Sequence, residues 1–501
     1  MLIALGIVAF ALAVLALYDM TQREHAILRN FPVVGHLRYI LETFGPELRQ
    51  YIVTNNDEEL PFSRDQRRWV YASAKKELNT FGFGTDNDIE APNYLIVKHS
   101  AFPYLPEGTP DELYPVPCAK VLGEARQRKH AFRPASIVNT SAMSFGSLSG
   151  PAVEAINAGA KLAGCLQNTG EGGISPHHKQ GGELIWQIGT GYFGCREHDG
   201  RFSMSMFLDN VAANPVRAIE IKLSQGAKPG KGGLLPGAKV TPEIAAIRGI
   251  PVGVTCASPS RHTAFSNADE MLDFVERLAD ESGLPVGIKS AVGESAFWES
   301  LADLMAKGDR GVDFITIDGG EGGTGAAPLV FSDHVSLPFK VGFPRVYTTF
   351  AERGVHELVA FAGSGKLGFP QSALLAIAMG CDLIQVGREA MLAIGCIQAQ
   401  RCHSGHCPTG VATQSPWLVR GLDPTSKSQR LANYVITLRK EIEQLAHACG
   451  RSHPALITLD DFELLDDALG TTGARERFGY QIDWGLPSSP ERRALGEFTM
   501  T

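Results

Sequence analysis

Three cysteines, Cys396, Cys402 and Cys407, fall within twelve residues of one another. Three thiolates so close can grip a soft metal centre. A structural zinc site or an ordinary cubane cluster takes four ligands. A count of three therefore points to a cluster with one iron missing, or to a site completed by a neighbouring histidine. His403 and His406 lie inside the same loop, so a Cys/His zinc tetrad also fits the spacing. The chain holds nine cysteines in all. An odd number without paired spacing suits a reducing compartment better than a disulfide framework.

A second set of candidates lies in glycine-rich stretches at 141–149, 168–173, 222–233 and 318–325, followed by Gly363-Ser364-Gly365 and Gly387-Arg388. Small residues and bare N–H groups let a flat, anionic cofactor approach closely. The last two stretches stand where a barrel enzyme commonly holds a phosphate near a helix N-terminus. One such loop is usually only a turn; several at successive strand ends make a site. The charged residues among them have plain alternatives. Glu171 could orient its loop, Lys228 could lie in solvent and Lys289 could pair with a carboxylate. Lys289 is the most suggestive, because Gly287-Ile288-Lys289-Ser290 belongs to an apolar run, and a lysine there must reach a partner or a ligand.

The elements that would position these residues alternate in type. Short apolar runs at 136–140, 164–168, 218–223, 252–256, 286–290, 314–317, 358–361 and 383–386 read as strands. Amphipathic stretches at 151–162, 241–247, 268–281, 295–307 and 370–379 read as helices, two of them with proline in the first turn. Strand-then-helix repetition of this length predicts an α/β fold, a (β/α)8 TIM-type barrel. An open doubly wound sheet is the alternative; no G-x-G-x-x-G opens the first unit to favour it. Residues 426–449 carry a core-facing helical stripe.

The 501 residues are 44% apolar and 20% charged, a globular balance. A net charge of −8 without a long basic run argues against nucleic-acid binding. Residues 2–17 are almost wholly apolar, slightly short for a span of about 17–25 residues. No basic start and no small-residue cleavage site mark a signal peptide. The run reads as an uncleaved anchor, with a buried N-terminal helix as the alternative. Arg23, His25, Arg29 and Arg38 follow it and place the rest of the chain in the cytoplasm by the positive-inside rule. The expected organisation is a single-pass cell-membrane anchor at 1–18, an irregular wrapping segment at 19–117 with an aromatic stretch at 81–84, a barrel at 118–450 and a polar extension at 451–501.

From Cys118 to Gly450 the chain resembles the FMN-binding synthase domain of the glutamate synthase family. The most specific stretch is Cys-x5-Cys-x4-Cys, with Cys402-His403 in the middle and Cys407-Pro408-Thr409-Gly410-Val411-Ala412-Thr413-Gln414 at its end. The loops at 141–149, 168–173, 222–237 and 322–328 add to the likeness. The resemblance implies FMN in the barrel and a three-iron four-sulfur (3Fe-4S) cluster on Cys396, Cys402 and Cys407 that passes electrons to it. The activity implied is reduction of 2-iminoglutarate, formed from 2-oxoglutarate and ammonia, to L-glutamate. Ser144, Gln187 and Lys289 would face the flavin. Gly363, Gly365, Gly387 and Arg388 would surround its phosphate. Glu171 matches the family's catalytic-site glutamate, and Lys228 and Arg248 match positions that hold the 2-oxo acid, where arginine can grip a carboxylate bidentately.

Two departures qualify these expectations. No glutaminase domain precedes the barrel here, so free ammonium, an amine or a separate amidotransferase would supply nitrogen. Leu234, in Gly230-Lys231-Gly232-Gly233-Leu234-Leu235-Pro236-Gly237, replaces a glutamine expected near the 2-oxo acid, a change that can alter selectivity. Ferredoxin or an NADPH-oxidising flavoprotein subunit would supply electrons. The competing readings are an FMN-dependent dehydrogenase acting on another 2-oxo acid or amine, and a membrane-tethered electron-transfer protein without turnover.

Overall fold

Eight short runs, mostly apolar, pair edge to edge in chain order and close on themselves. In the computed structural model they are β1 (Val138–Thr140), β2 (Gln167–Asn168), β3 (Leu184–Ile188), β4 (Val216–Lys222), β5 (Val286–Ser290), β6 (Phe314–Asp318), β7 (Ala360–Ser364) and β8 (Leu383–Val386). Each is parallel to the next, and β8 returns to β1 through Ile384↔Val138 and Val386↔Thr140. The structure describes residues 2–22, 24–80, 82–108, 111–468 and 470–498. Arg23 and Phe81, which entered the sequence reading, lie outside the described residues.

Local chemistry sets the helix ends. The Ser149 hydroxyl accepts from the Ala152 N–H and Pro151 sits in the first turn of Gly150–Ala163, which Gly164 ends at φ 66°. Thr241 and Gly249 do the same for Pro242–Arg248. Asn267 and Gly283 bracket Ala268–Ser282. Side-chain caps of this kind satisfy N–H groups that a helix start leaves without partners, and glycine takes the left-handed turn at low cost. The long helix Pro424–Ala448 buries Leu431, Tyr434, Val435, Leu438 and Ile442. It crosses Gly150–Ala163 at Gly159, where an added Cβ would lie 2.7 Å from the Ser428 carbonyl oxygen.

The barrel is as expected, but its third strand is not. Leu184–Ile188 fills that place, while 252–256 lies outside the barrel. There Cys256–Ala257 pairs antiparallel with Leu234–Leu235 as a two-stranded ribbon. The run 252–256 is β-branched, but Val252 and Val254 are exposed. The alternation breaks at β2–β3 because only a single 3₁₀ turn, Pro176–His178, lies between them. The seventh strand starts two residues later than expected and takes in Gly363 and Ser364.

The chain divides into two compact units, Met1–Arg67 and Arg68–Thr501. The first contains the helix Leu2–Thr21, with mean hydropathy 2.4, long and apolar enough to cross a membrane. Its only buried residue, Asp19, accepts from Val33 N–H and lies 2.9 Å from His36 Nε2. The segment expected to be irregular holds the helices Gly35–Leu48 and Arg64–Lys75. The tail is packed: Phe462–Leu465 joins a three-stranded antiparallel sheet with Leu95–Val97 and Thr471–Gly473.

Candidate active site at the barrel mouth

The inner face of the barrel is apolar below and polar above. Leu166, Ile185, Ala218, Phe314, Ala360, Ala362 and Leu383 from six strands or their edges meet in one buried cluster, plugged by Cys118, Leu122 and Phe132. Residues two further along each strand share that inner face. They include Asn168, Gln187, Glu220, Thr316, Ser364 and Gln385, all buried. Glu220 is fully enclosed and accepts from Asn168 Nδ2 at 2.7 Å, Gln187 Nε2 at 2.7 Å and Thr316 Oγ1 at 2.6 Å. Three neutral donors make a buried carboxylate tolerable. They also fix Gln187, whose amide nitrogen is committed to Glu220. Gln385 Oε1 is buried with no partner, an acceptor left over for a bound group.

At the C-terminal strand ends, Glu171 Oε1 lies 2.8 Å from Lys222 Nζ, which also donates to Gln225 Oε1 at 2.6 Å. Burial alone would raise the Glu171 carboxyl, but Lys222, with Lys228 and Arg248, holds it below the usual carboxylate range. Gly189 and Gly233 flank this carboxylate, and a Cβ at either would run into it. Lys228 is buried and donates to the Ala326 carbonyl at 2.9 Å. Burial, then Lys222, push its ammonium down to about 8. Arg248, at the end of Pro242–Arg248, is 5% exposed. Its Nη2 donates to Phe145 O at 3.1 Å and approaches Ser144 Oγ at 3.5 Å, its plane lies over Phe193, and its Nε has no partner. A buried guanidinium with spare donors is suited to an incoming carboxylate. His262 donates through Nε2 to Lys222 O at 2.9 Å, and its Nδ1 lies 3.1 Å from Tyr192 OH. Burial pushes it down to about 4, so it is neutral near pH 7.

Across the mouth, Lys289 realises its plain alternative: its Nζ lies 3.7 Å from Asp318 Oδ2 and 3.5 Å from Ser141 Oγ. Ser141 in turn meets Ser364 Oγ at 3.4 Å. Gly365 has φ +123°, a left-handed-side conformation that favours glycine. An added Cβ at Gly387 would touch Ser141 Cβ at 3.5 Å, an ordinary contact, so this position tolerates a close neighbour without a clash. Gly363 differs: an added Cβ would enter Leu367, Phe339 and Cys381, so this glycine answers packing outside the barrel. Arg388 donates to the Glu321 carbonyl. It shares its surroundings with Lys366 and Lys340, both lowered by burial, and with Glu321. Three cations gathered at the ends of β7 and β8 suit a phosphate. The sequence reading missed Lys366 and Lys340, although Lys366 directly follows the Gly-Ser-Gly turn.

The cysteine loop is stitched to the loop after β1. Ser149 N–H donates to Val411 O at 2.9 Å, and Gln414 Nε2 donates to Gly146 O at 3.2 Å and Leu148 O at 2.9 Å. Tyr71 OH donates to Cys396 O at 2.8 Å. The three thiols lie within electrostatic range of one another. Burial would raise Cys407, but the Thr409 hydroxyl and the N–H groups of Ala412, Thr409 and Val411 hold it below its usual value. Cys396 goes the other way, pushed up to about 12, chiefly by burial. His403 and His406 are exposed. Among the described residues no three His, Cys, Asp or Glu gather closely enough for a single metal ion. A multi-iron group spreads its thiolates more widely, and the N–H nest on Cys407 is the donor set a ligated thiolate uses. On the flavin side, the unpartnered Gln385 Oε1 and the cation cluster fit FMN.

Known proteins share this sequence pattern. A family model described as "Conserved region in glutamate synthase" matches residues 117–452. Over 486 residues the chain is 40% identical to the glutamate synthase large subunit-like protein YerD of Bacillus subtilis, covering 90% of this chain and 92% of that one. It is 37% identical over 311 residues to the archaeal glutamate synthase (NADPH) of Methanocaldococcus jannaschii, a match spanning 62% of this chain and 58% of that relative's length. A solved flavocytochrome b2 mutant with pyruvate bound aligns over 87% of each chain at 13% identity and a TM-score of 0.43.

Proposed function

The chain belongs to the glutamate synthase family, and from that premise we propose that it is an FMN- and iron–sulfur-dependent oxidoreductase that makes L-glutamate from 2-oxoglutarate and ammonium. The observation that carries the reading is the mouth cluster of Glu171, Lys222, Lys228 and Arg248, in which Arg248 and the cysteine loop are both tied to the loop after β1.

FMN, when bound, supplies a hydride to the imine carbon, and the iron–sulfur group supplies electrons one at a time. Lys366 and Arg388 would hold the FMN phosphate near the ends of β7 and β8, beside Gly365 and Gly387. Ser144, Lys289 and Gln385 would face the ring, with Gln187 fixed by its bond to Glu220. Arg248 and Lys228 bind the carboxylates of the 2-oxo acid. Glu171, kept ionised, takes a proton from the incoming nitrogen at Oε2, while Lys222 occupies Oε1. The ribbon of Leu234–Leu235 and Cys256–Ala257 places Gly233 against Glu171, leaving no room there for a side chain.

Electrons reach the cysteine loop from a separate donor, a ferredoxin or an NADPH-oxidising flavoprotein subunit. Ammonium enters free or from a separate amidotransferase. Leu2–Thr21 anchors the protein in the cell membrane with the barrel in the cytoplasm, a reading supported by its mean hydropathy and by the basic residues after it. One observation favours a second substrate reading: Leu234, exposed on the ribbon, stands where a glutamine was expected near the 2-oxo acid, a change that suits an amine larger than ammonia.

The test is anaerobic. Purified full-length protein is reduced with dithionite and mixed with 2-oxoglutarate and ammonium while flavin absorbance and L-glutamate are followed. Reoxidation with stoichiometric glutamate is expected. Reoxidation only with an alkylamine supports the second reading, and none with any 2-oxo acid and nitrogen donor refutes both.

A further inference from the structure

Lys239 lies outside every family motif quoted above, yet it is 4% exposed and makes three bonds through one atom. Its Nζ donates to Cys402 O at 2.8 Å, Ala412 O at 2.9 Å and Ser147 O at 3.4 Å. The first two carbonyls belong to the cysteine loop and the third to the loop after β1. An ammonium has three protons, and all three are committed, so the cation is held in one place. The cysteine loop also closes over its stem: the Cβ direction at Gly405 meets Lys239 Cε at 4.0 Å.

A buried cation needs a counter-charge. Among the described residues the bonds of Lys239 Nζ all go to backbone carbonyls, with no carboxylate among its partners. Neutral thiols do not balance an ammonium; ligated thiolates do. Building on the cluster reading, we propose that Lys239 is a positioning residue whose fixed charge favours the reduced state of an iron–sulfur group held by Cys396, Cys402 and Cys407. On reduction, one electron passes from an external one-electron reductant to the iron–sulfur group. No proton leaves Lys239, and the group gains one negative charge. A positive charge a few ångströms away, in a medium that screens poorly, stabilises that added charge. The segment carrying Lys239 continues through the Thr241 cap to Arg248, so one short stretch serves the cysteine loop at its start and the substrate side at its end.

The experiment is a potentiometric titration followed by electron paramagnetic resonance, with iron analysis, on anaerobically prepared full-length protein. Wild type, Lys239→Arg and Lys239→Gln are compared. Glutamine keeps N–H donors for the carbonyls but carries no charge; arginine keeps the charge. Equal iron in all three, a midpoint near wild type for arginine and a clear negative shift for glutamine are expected. A glutamine midpoint equal to wild type overturns the inference. Iron lost from glutamine but kept in arginine makes Lys239 a structural tie only, and also overturns it. Iron-free wild-type protein overturns the cluster reading and this inference with it.

Discussion

Binding of the 2-oxo acid should weaken sharply between pH 7 and pH 9, and Lys228 should be the cause. Lys228 is buried against the Ala326 carbonyl. Burial first and Lys222 second bring its ammonium from 10.5 down to about 8, with Glu171 opposing them. The sign follows: the folded protein disfavours the charged form, so the charge is lost on raising the pH through about 8 rather than above 10. Glu171, held below the usual range, is ionised throughout this window, and His262, at about 4, is neutral throughout. For a group with that value, the protonated fraction falls from about nine-tenths at pH 7 to about one-tenth at pH 9. If only the protonated form holds the acid, the Kd for 2-oxoglutarate rises about tenfold across the window. The assay is perturbation of the flavin absorbance by 2-oxoglutarate without ammonium, which removes the titration of ammonium from the measurement. In Lys228→Arg the charge persists to high pH, so the rise should vanish. A wild-type Kd that stays flat from pH 7 to pH 9, or an equal rise in Lys228→Arg, refutes the reasoning.

Further outcomes follow from the same geometry. Glu171→Gln should lower turnover by about 10²–10⁴-fold, the range for a lost proton-transfer group, while leaving the flavin spectrum and 2-oxoglutarate binding in place; stopped-flow reoxidation reads both, and unchanged turnover removes Glu171 from the mechanism. Arg248→Lys should weaken 2-oxoglutarate binding by about 1.5–3 kcal/mol, the worth of a charge-assisted bond, because an ammonium cannot reach Phe145 O and a carboxylate with the same fork. A Kd within twofold of wild type would place Arg248 outside the substrate site. Cys402→Ser should lose iron and its paramagnetic signal while retaining FMN, measured by metal analysis beside the flavin absorbance; retained iron would mean that the loop does not hold the cluster through this thiol.

The barrel was legible because its strands are short apolar runs whose intervening helices carry caps of their own, such as Ser149, Thr241 and Asn267. It failed at Leu184–Ile188, where no helix separates β2 from β3, and at 252–256, where β-branched residues build an exposed excursion instead of a strand. Periodicity reports local shape, and both errors were about which local shape joins the sheet. The site was legible where motifs are contiguous: the cysteine loop, Glu171 in its glycine turn, Gly365 and Arg388. Lys222, Glu220, Lys239 and Lys366 escaped because a strand lysine or a buried glutamate gains meaning only from partners far along the chain. Glu220 depends on Asn168, Gln187 and Thr316, and Lys239 on Ser147, Cys402 and Ala412. Gly363 shows the converse: it looked like part of a phosphate turn, yet strand parity turns it outward into Leu367 and Phe339.

The charges at the mouth also specify how well the site should tell one acid from another. Around Glu171, Lys222, Lys228 and Arg248 set three positive charges against one negative charge, a local surplus of two, while the Glu220 carboxylate one layer below is held by neutral donors. Lys289 does not add to it, since Asp318 lies 3.7 Å away. A dicarboxylic 2-oxo acid carries two negative charges and balances the surplus; a monocarboxylic one leaves a buried cation unmet, at a cost of about 1–3 kcal/mol. At pH 7 the site should therefore bind 2-oxoglutarate about 10–100 times more tightly than 2-oxobutyrate. Above the Lys228 transition the surplus falls to one, and the preference should shrink because the dianion alone has lost a partner. Measuring both dissociation constants at pH 7 and pH 9 gives the ratio directly, and Lys228→Met should show the reduced ratio at both. A wild-type preference that does not change with pH would mean that Lys228 faces the end shared by the two acids, and the charge-balance argument would fail at this residue.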